Sequence, residues 1–334
     1  MVNKKSEVKI RATSSFKDEG QARQFFKEWV NWLGELNGTN YERIEVDSAL
    51  GKTVVWAINS ERTDFPVIVI FPGFRTCSLF WDLDNALAPL KKSFRIFLVD
   101  INGQPCLSEG KVPDIKGDGY GVWAADLLGK LSINQATIAG ASFGALVSLK
   151  LCAAAPHLVS KAILLNPGCL QPFSLTWKNI YNNFLPIVFP TRKNIERFLT
   201  KAIFNQPHHS LSPSGWRLLV DYELFVLNWF RNRAQTPYPM KAGELRELHT
   251  ETHLVLGEKD LLFPYRKSVR VATRNIRTLH SITILPGIGH GIETSRKAIE
   301  IVTGIALGEP ICQSERVTGL EASSNLSNGA DGAN

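Results

Sequence analysis

The chain has 334 residues, 44% hydrophobic and 21% charged, too apolar for a disordered protein and long enough for one large α/β domain or two small ones. Its net charge of +7 is spread over isolated pairs, Lys4-Lys5, Lys91-Lys92 and Arg192-Lys193, with no nucleic-acid module around them, so no nucleic-acid partner is expected. Cys77, Cys106, Cys152, Cys169 and Cys312 lack the spacing of a metal or redox motif and read as reduced packing residues, with no metal and no cofactor.

Residues 1–16 are polar and expected to be ragged. Phe25, Phe26, Trp29, Val30, Trp32 and Leu33 then recur at helical spacing within 17–36, giving an N-terminal extension over 1–40 that carries an amphipathic helix. Two strands, 41–47 and 52–59, follow as a hairpin about Ser48–Gly51. From 66 to 166, short continuous apolar runs at 66–71, 95–99, 136–139 and 161–165 alternate with helical stretches at 79–90, 119–131 and 143–155. Continuous apolarity suits strands covered on both faces, and the alternation implies an α/β fold with a doubly wound, mostly parallel sheet.

The alternation stops at Asn166-Pro167-Gly168. Residues 168–248 are helical, proline-containing and aromatic-rich, without a strand pattern. Strands at 253–256 and 281–285 and helices at 265–276 and 293–306 complete the sheet. The expected organisation is a core of 41–167 and 249–306, a helical cap over 168–248, and a disordered Gly/Ser/Asn-rich tail over 307–334. The start of the chain has no apolar run of the secretory kind, and no stretch approaches a transmembrane helix, so a cytoplasmic protein without stable membrane insertion is expected. Oligomeric state is not legible.

The chemistry centres on Ala136-Thr-Ile-Ala-Gly140-Ala-Ser142-Phe-Gly144, a Gly-x-Ser-x-Gly motif between an apolar strand and an apolar-periodic helix. A sharp strand-to-helix turn would present Ser142 at a helix N-terminus, where free amides, Phe143 among them, stabilise an oxyanion. A hydroxyl is a poor nucleophile at neutral pH and needs a histidine to take its proton and a carboxylate to hold that histidine. Of seven histidines only His290 lies in a turn after a late strand with a helix behind it; structural roles suit His157, His208, His209, His249, His253 and His280. Asp260, in a Gly-x-x-Asp turn at the end of an earlier strand, is preferred over its neighbour Glu258 as the carboxylate. Both loops would leave the C-terminal edge of the sheet, where open α/β folds bind ligands.

The order Ser142, Asp260, His290 and its strand-end placement resemble the α/β-hydrolase superfamily over about residues 41–306, most of all its single-domain bacterial carboxylesterases. Val67-Ile-Val-Ile-Phe-Pro72-Gly73-Phe74-Arg75, followed by Trp81, is similar to the family's oxyanion loop, and the resemblance implies the Phe74 amide as the second oxyanion donor. Pro72 stands where that loop usually carries histidine. Val99-Asp100-Ile-Asn-Gly103-Gln-Pro-Cys106-Leu-Ser108 resembles the Asp-x-x-Gly-x-Gly-x-Ser element, with Cys106 in place of a glycine.

These features imply a serine hydrolase acting on a small-molecule carboxylic ester with an apolar group. The same triad would serve a carbon–carbon hydrolase, a lactonase or a perhydrolase, and the scaffold would also serve a non-catalytic ligand-binding protein. The cap contains ten Lys or Arg and five Asp or Glu between 168 and 250; Arg75 and Arg231 are candidates to meet a substrate carboxylate. The basic balance and aromatic cap also suggest a role at a membrane surface.

Overall fold

The structure, a computed structural model, describes residues 14–231 and 236–310. Its strands are β1 (Glu42–Ser48), β2 (Gly51–Ile58), β3 (Val67–Phe71), β4 (Arg95–Val99), β5 (Ala136–Ala141), β6 (Val159–Leu165), β7 (Thr252–Gly257) and β8 (Leu279–Leu285). They form one sheet in the order β1-β2-β4-β3-β5-β6-β7-β8. β1, β2 and β4 pair antiparallel; from β4 through β8 every neighbour is parallel.

Strand side chains alternate between two buried faces, which is why the strands read as unbroken apolar runs. Val54, Trp56, Ile68, Ile70, Ile96 and Leu98 enter one core, and Val55, Ala57, Val69, Phe71, Phe97 and Val99 the other. The helices α3 (Gly119–Lys130) and α4 (Phe143–Ala154) join the second core, together with α8 (Ala242–Arg246) and α9 (Tyr265–Asn275). The first core takes α1 (Glu19–Asn37), α2 (Ala88–Lys91), α7 (Pro213–Trp229) and α10 (Arg296–Leu307). The remaining cap helices are α5 (Trp177–Val188) and α6 (Arg192–Phe198).

Three expectations need correction. The helix expected over 79–90 is broken: Ser78–Asn85 is a 3₁₀ run interrupted at Asp82, Leu83 and Asp84, and only α2 is α-helical. The buried Asp82 carboxylate accepts from the Leu87 amide at 3.0 Å and meets Lys91 Nζ at 2.6 Å, which rewards the bend. The ragged segment 1–16 ends in order, because Phe16 is buried and bridges to Phe230. At the other end α10 runs to Leu307 and is closed by Gly308 in the left-handed region, so the first residues of the stretch expected to be disordered over 307–334 are ordered. Residues 311–334, with Cys312, lie outside the described residues.

The N-terminal helix is built into the cap. α1 buries Ala22, Phe26, Trp29, Val30 and Leu33, starts on an Asp18 cap and ends on Gly38 in the left-handed region. Phe25 stacks on Phe225 of α7 at 4.0 Å between centroids, and Trp29 Nε1 donates to Leu218 O at 2.9 Å. Tyr222 of α7 donates to Pro105 O at 2.6 Å, so this helix is fastened to the core as well. Phe26 touches Phe16, Phe25 and Tyr222. Phe26→Ala is therefore expected to cost about 3–5 kcal/mol, read as a lower urea midpoint with an unchanged slope.

Candidate active site

Ser142 is the hinge between β5 and α4, with φ 51° and ψ −104°, a backbone strain that a side chain at a functional turn tolerates. The motif glycines are there for space. A Cβ on Gly144 would lie 2.1 Å from Phe71 O, and one on Gly140 would lie 2.4 Å from the Gly144 carbonyl carbon. The serine is 7% exposed, and its amide donates to Leu165 O at 2.9 Å.

His290 and Asp260 meet: the Nδ1–H donates to Asp260 Oδ2 at 2.9 Å. The other carboxylate oxygen accepts from the amides of Leu262, at 2.8 Å, and Phe263, at 3.0 Å, so the acid is aimed by its own loop. Glu258, its sequence competitor, points elsewhere and accepts from the Gly287 amide at 3.1 Å. No hydrogen bond joins Ser142 to His290 among the described residues. The Phe263 ring packs 5.5 Å from that of His290 and faces Gly168. A Cβ on Gly168 would lie 3.2 Å from the Phe263 ring and 3.5 Å from Ser142 Oγ. Proton-transfer contacts often tighten only when substrate is bound.

Phe74 and Phe143 pack edge to face at 6.1 Å, which brings their two chain segments together beside the serine. Neither backbone amide donates to a protein acceptor among the described residues. The loop at Pro72 is held by side-chain and backbone hydrogen bonds. Thr76 Oγ1 donates to Gly73 O at 3.0 Å, and the Arg75 amide, at φ 62°, donates to Gln104 Oε1 at 2.8 Å. Arg75 also faces the cap residue Glu223: burial raises that carboxyl to about 7, and the guanidinium opposes the rise. Arg231 lies away from the cleft, its side chain donating to Lys17 O at 3.2 Å.

Asn166 and Glu293 escaped sequence reasoning, and His209, expected to be structural, has its partners only here. Asn166 accepts from the Gly257 amide at 2.7 Å and donates to Gly289 O at 3.0 Å and His290 O at 3.1 Å, tying the ends of β6 and β7 to the histidine loop. His209 of the cap accepts from the Gly289 amide through Nδ1 at 3.2 Å, which places its proton on Nε2, 3.1 Å from Thr294 Oγ1. Burial lowers this histidine to about 4, so it is neutral near pH 7. Glu293 is buried, and its carboxyl makes no hydrogen bond or ion pair with another residue among those described. A Cβ on Gly73 would stand 3.8 Å from both Glu293 Oε1 and Ser142 Cβ. Burial raises the Glu293 carboxyl, partly opposed by His290. At His290 burial opposes the charged ring, but Asp260 and then Glu293 outweigh it and raise the imidazole. The only sequence signals were positional: an Asn at a strand end before Pro-Gly, and an acid one helical turn beyond a loop histidine.

Asn166→Ala would strand one buried donor and two acceptors, and about 3 kcal/mol of stability is expected to go with them. Asn166→Asp, which turns an oxygen toward two carbonyls, should be no more stable than the alanine variant in thermal unfolding at pH 7.

The alpha/beta hydrolase fold family model matches residues 66–276. A RutD protein of Rhizobium rhizogenes, provisionally named a carbamate hydrolase, is 27% identical over 224 residues, covering 64% of this chain and 81% of its own. Among solved structures, carboxylesterase CesB (YbfK) from Bacillus subtilis superposes with a TM-score of 0.73 at 19% identity, covering 87% of this chain and 100% of its own. Naproxen esterase from the same organism gives a TM-score of 0.72 at 20% identity, with 87% and 98% covered. With the family model spanning more than half of the sequence and the sheet order in agreement, the chain belongs to the alpha/beta hydrolase fold family and is a hydrolase of that fold.

Proposed function

We propose that the protein is a serine hydrolase that cleaves a carboxylic ester carrying an apolar group, through an acyl-enzyme on Ser142. The observation that carries this reading is the His290–Asp260 hydrogen bond of 2.9 Å at the same sheet edge as a strained serine turn. Ser142 Oγ attacks the ester carbonyl while its proton passes to His290 Nε2; Asp260 stabilises the imidazolium through Nδ1–H. The amides of Phe74 and Phe143 receive the developing oxyanion. Nε2 then returns the proton to the leaving alcohol. A water, deprotonated by the same nitrogen, releases the acid and restores the serine.

Ser142→Ala is expected to lower turnover of aryl esters at least 10³-fold and to abolish labelling by a fluorophosphonate. Unchanged activity would sink the mechanism, and tight ligand binding without turnover in the unaltered protein would favour a binding role on this scaffold.

A carbamate substrate is the second reading. Glu293, an unpartnered carboxyl across Gly73 from Ser142, suits an N–H donor on the substrate, and the RutD relative is named for carbamates. Aryl esters and aryl carbamates of one phenol, compared by kcat/KM, separate the two.

The pH dependence has a defined sign. Catalysis needs neutral His290, so activity rises with pH through the imidazole's titration, and raising that pKa moves the acidic limb of kcat/KM upward. Removing the Glu293 charge by Glu293→Gln should move the limb to lower pH; a limb that stays in place would contradict the role of Glu293 as an anion facing the ring.

A further inference from the structure

Helix α5 is built inside out. Its inward side chains are Asn179, Asn182 and Pro186, whereas Trp177, Tyr181, Phe184, Ile187 and Val188 are exposed, Trp177 by 79%. Seven of the eleven large hydrophobic residues exposed among those described fall between 175 and 189, too concentrated for scattered surface leucines and phenylalanines. The rotation of the helix is fixed. Asn179 Nδ2 donates to Leu261 O at 2.6 Å and to Ser174 O at 3.2 Å, and Arg197 Nε donates to Asn182 Oδ1 at 3.5 Å. Turning the rings inward would break these bonds.

The charge around the ridge has one sign. Between 169 and 205 stand Lys178, Arg192, Lys193, Arg197 and Lys201 against a single acid, Glu196. Arg192 pairs with Asp221, but Lys178, Lys193 and Lys201 have no ion pair among the described residues. A surface pocket of about 400 Å³ opens beside the ridge, lined by Trp177, Lys178, Tyr181, Asn182, Arg197 and Lys201. It offers cationic and amide donors and no carboxylate.

We infer that this face of the cap docks onto an anionic phospholipid surface, with the aromatic ridge in the headgroup–acyl boundary and the basic pocket around a lipid phosphate. Tryptophan and tyrosine suit that boundary, and basic side chains around an apolar helical face are the pattern of interfacial helices. A second copy of the chain suits the face poorly, because two basic rims would oppose each other. No helix among the described residues is long and apolar enough to cross a membrane, so contact is with the surface. Helix α5 is bonded through Asn179 to the exposed Leu261, next to Asp260, so a docked molecule holds the rim of the Ser142 cleft near the lipid. That last consequence rests on the ester reading; the docking does not.

The test is flotation of the full-length Ser142→Ala protein, which consumes no lipid, with vesicles of phosphatidylcholine alone or with about a third phosphatidylglycerol, at low and high salt. Binding is expected on the anionic vesicles only and should weaken with salt. Lys178→Gln and Lys201→Gln should each lower the partition coefficient about fivefold, and Trp177→Ser with Phe184→Ser should remove binding while the circular dichroism spectrum stays the same. Absence of binding, or equal binding to both vesicles, overturns the assignment. So does a dimer in sedimentation velocity that the Trp177→Ser, Phe184→Ser variant dissolves, which would give the face to a second copy.

Discussion

The side chain of Asn166 holds together parts of the molecule that the chain itself keeps far apart. Its oxygen takes the Gly257 amide at the end of β7, and its nitrogen takes the carbonyls of Gly289 and His290 beyond β8. The backbone at Asn166, at φ 39°, is in the left-handed region that asparagine tolerates better than most residues. One amide thereby ties the acid-bearing and histidine-bearing loops to the strand beside the serine. Two of the three bonds are buried and the third, to His290 O, is partly so; an unmade buried bond is expensive, so the arrangement is stable as a set rather than bond by bond. His209 adds a support from the cap by holding the Gly289 amide and Thr294.

The cap is unevenly attached. Its α7 side is welded to the core and to α1 by aromatic stacking and by the Trp29 and Tyr222 hydrogen bonds. On the α5 side, hydrogen bonds from Ser174 and Asn179 to the loop after Asp260 do the fastening. The aromatic content that looks uniform in sequence is divided accordingly: Tyr222, Phe225 and Phe230 pack, and Trp177, Tyr181 and Phe184 do not.

Sequence reasoning captured what short-range pattern encodes. The strand runs at 66–71 and 95–99 were legible because both faces are covered, and the strand-to-helix turn at Ser142 because its glycines answer to local sterics. It failed over 79–90, where apolar residues at helical spacing are buried by a bent 3₁₀ segment organised around Asp82, whose partners include Tyr41 and Lys91. Phe16 was missed because its partner Phe230 lies in the cap. Glu293 and Asn166 show the same limit: their significance depends on tertiary neighbours. The inverted face of α5 was hidden differently, since periodicity reports a stripe and says nothing of which way it turns.

The distance along the chain between the parts joined by Asn166 also sets a timetable. The serine turn draws on β3, β5, α4 and the end of β6, all present once the chain has reached Gly168. His290 and its carbonyl partner in the clamp arrive only after the whole cap and β7 have been made. Closing so long a loop is the late, slow event in assembling such a sheet. During synthesis and refolding, competence of the candidate site therefore marks the docking of β8, and helix content, most of it local, returns before it.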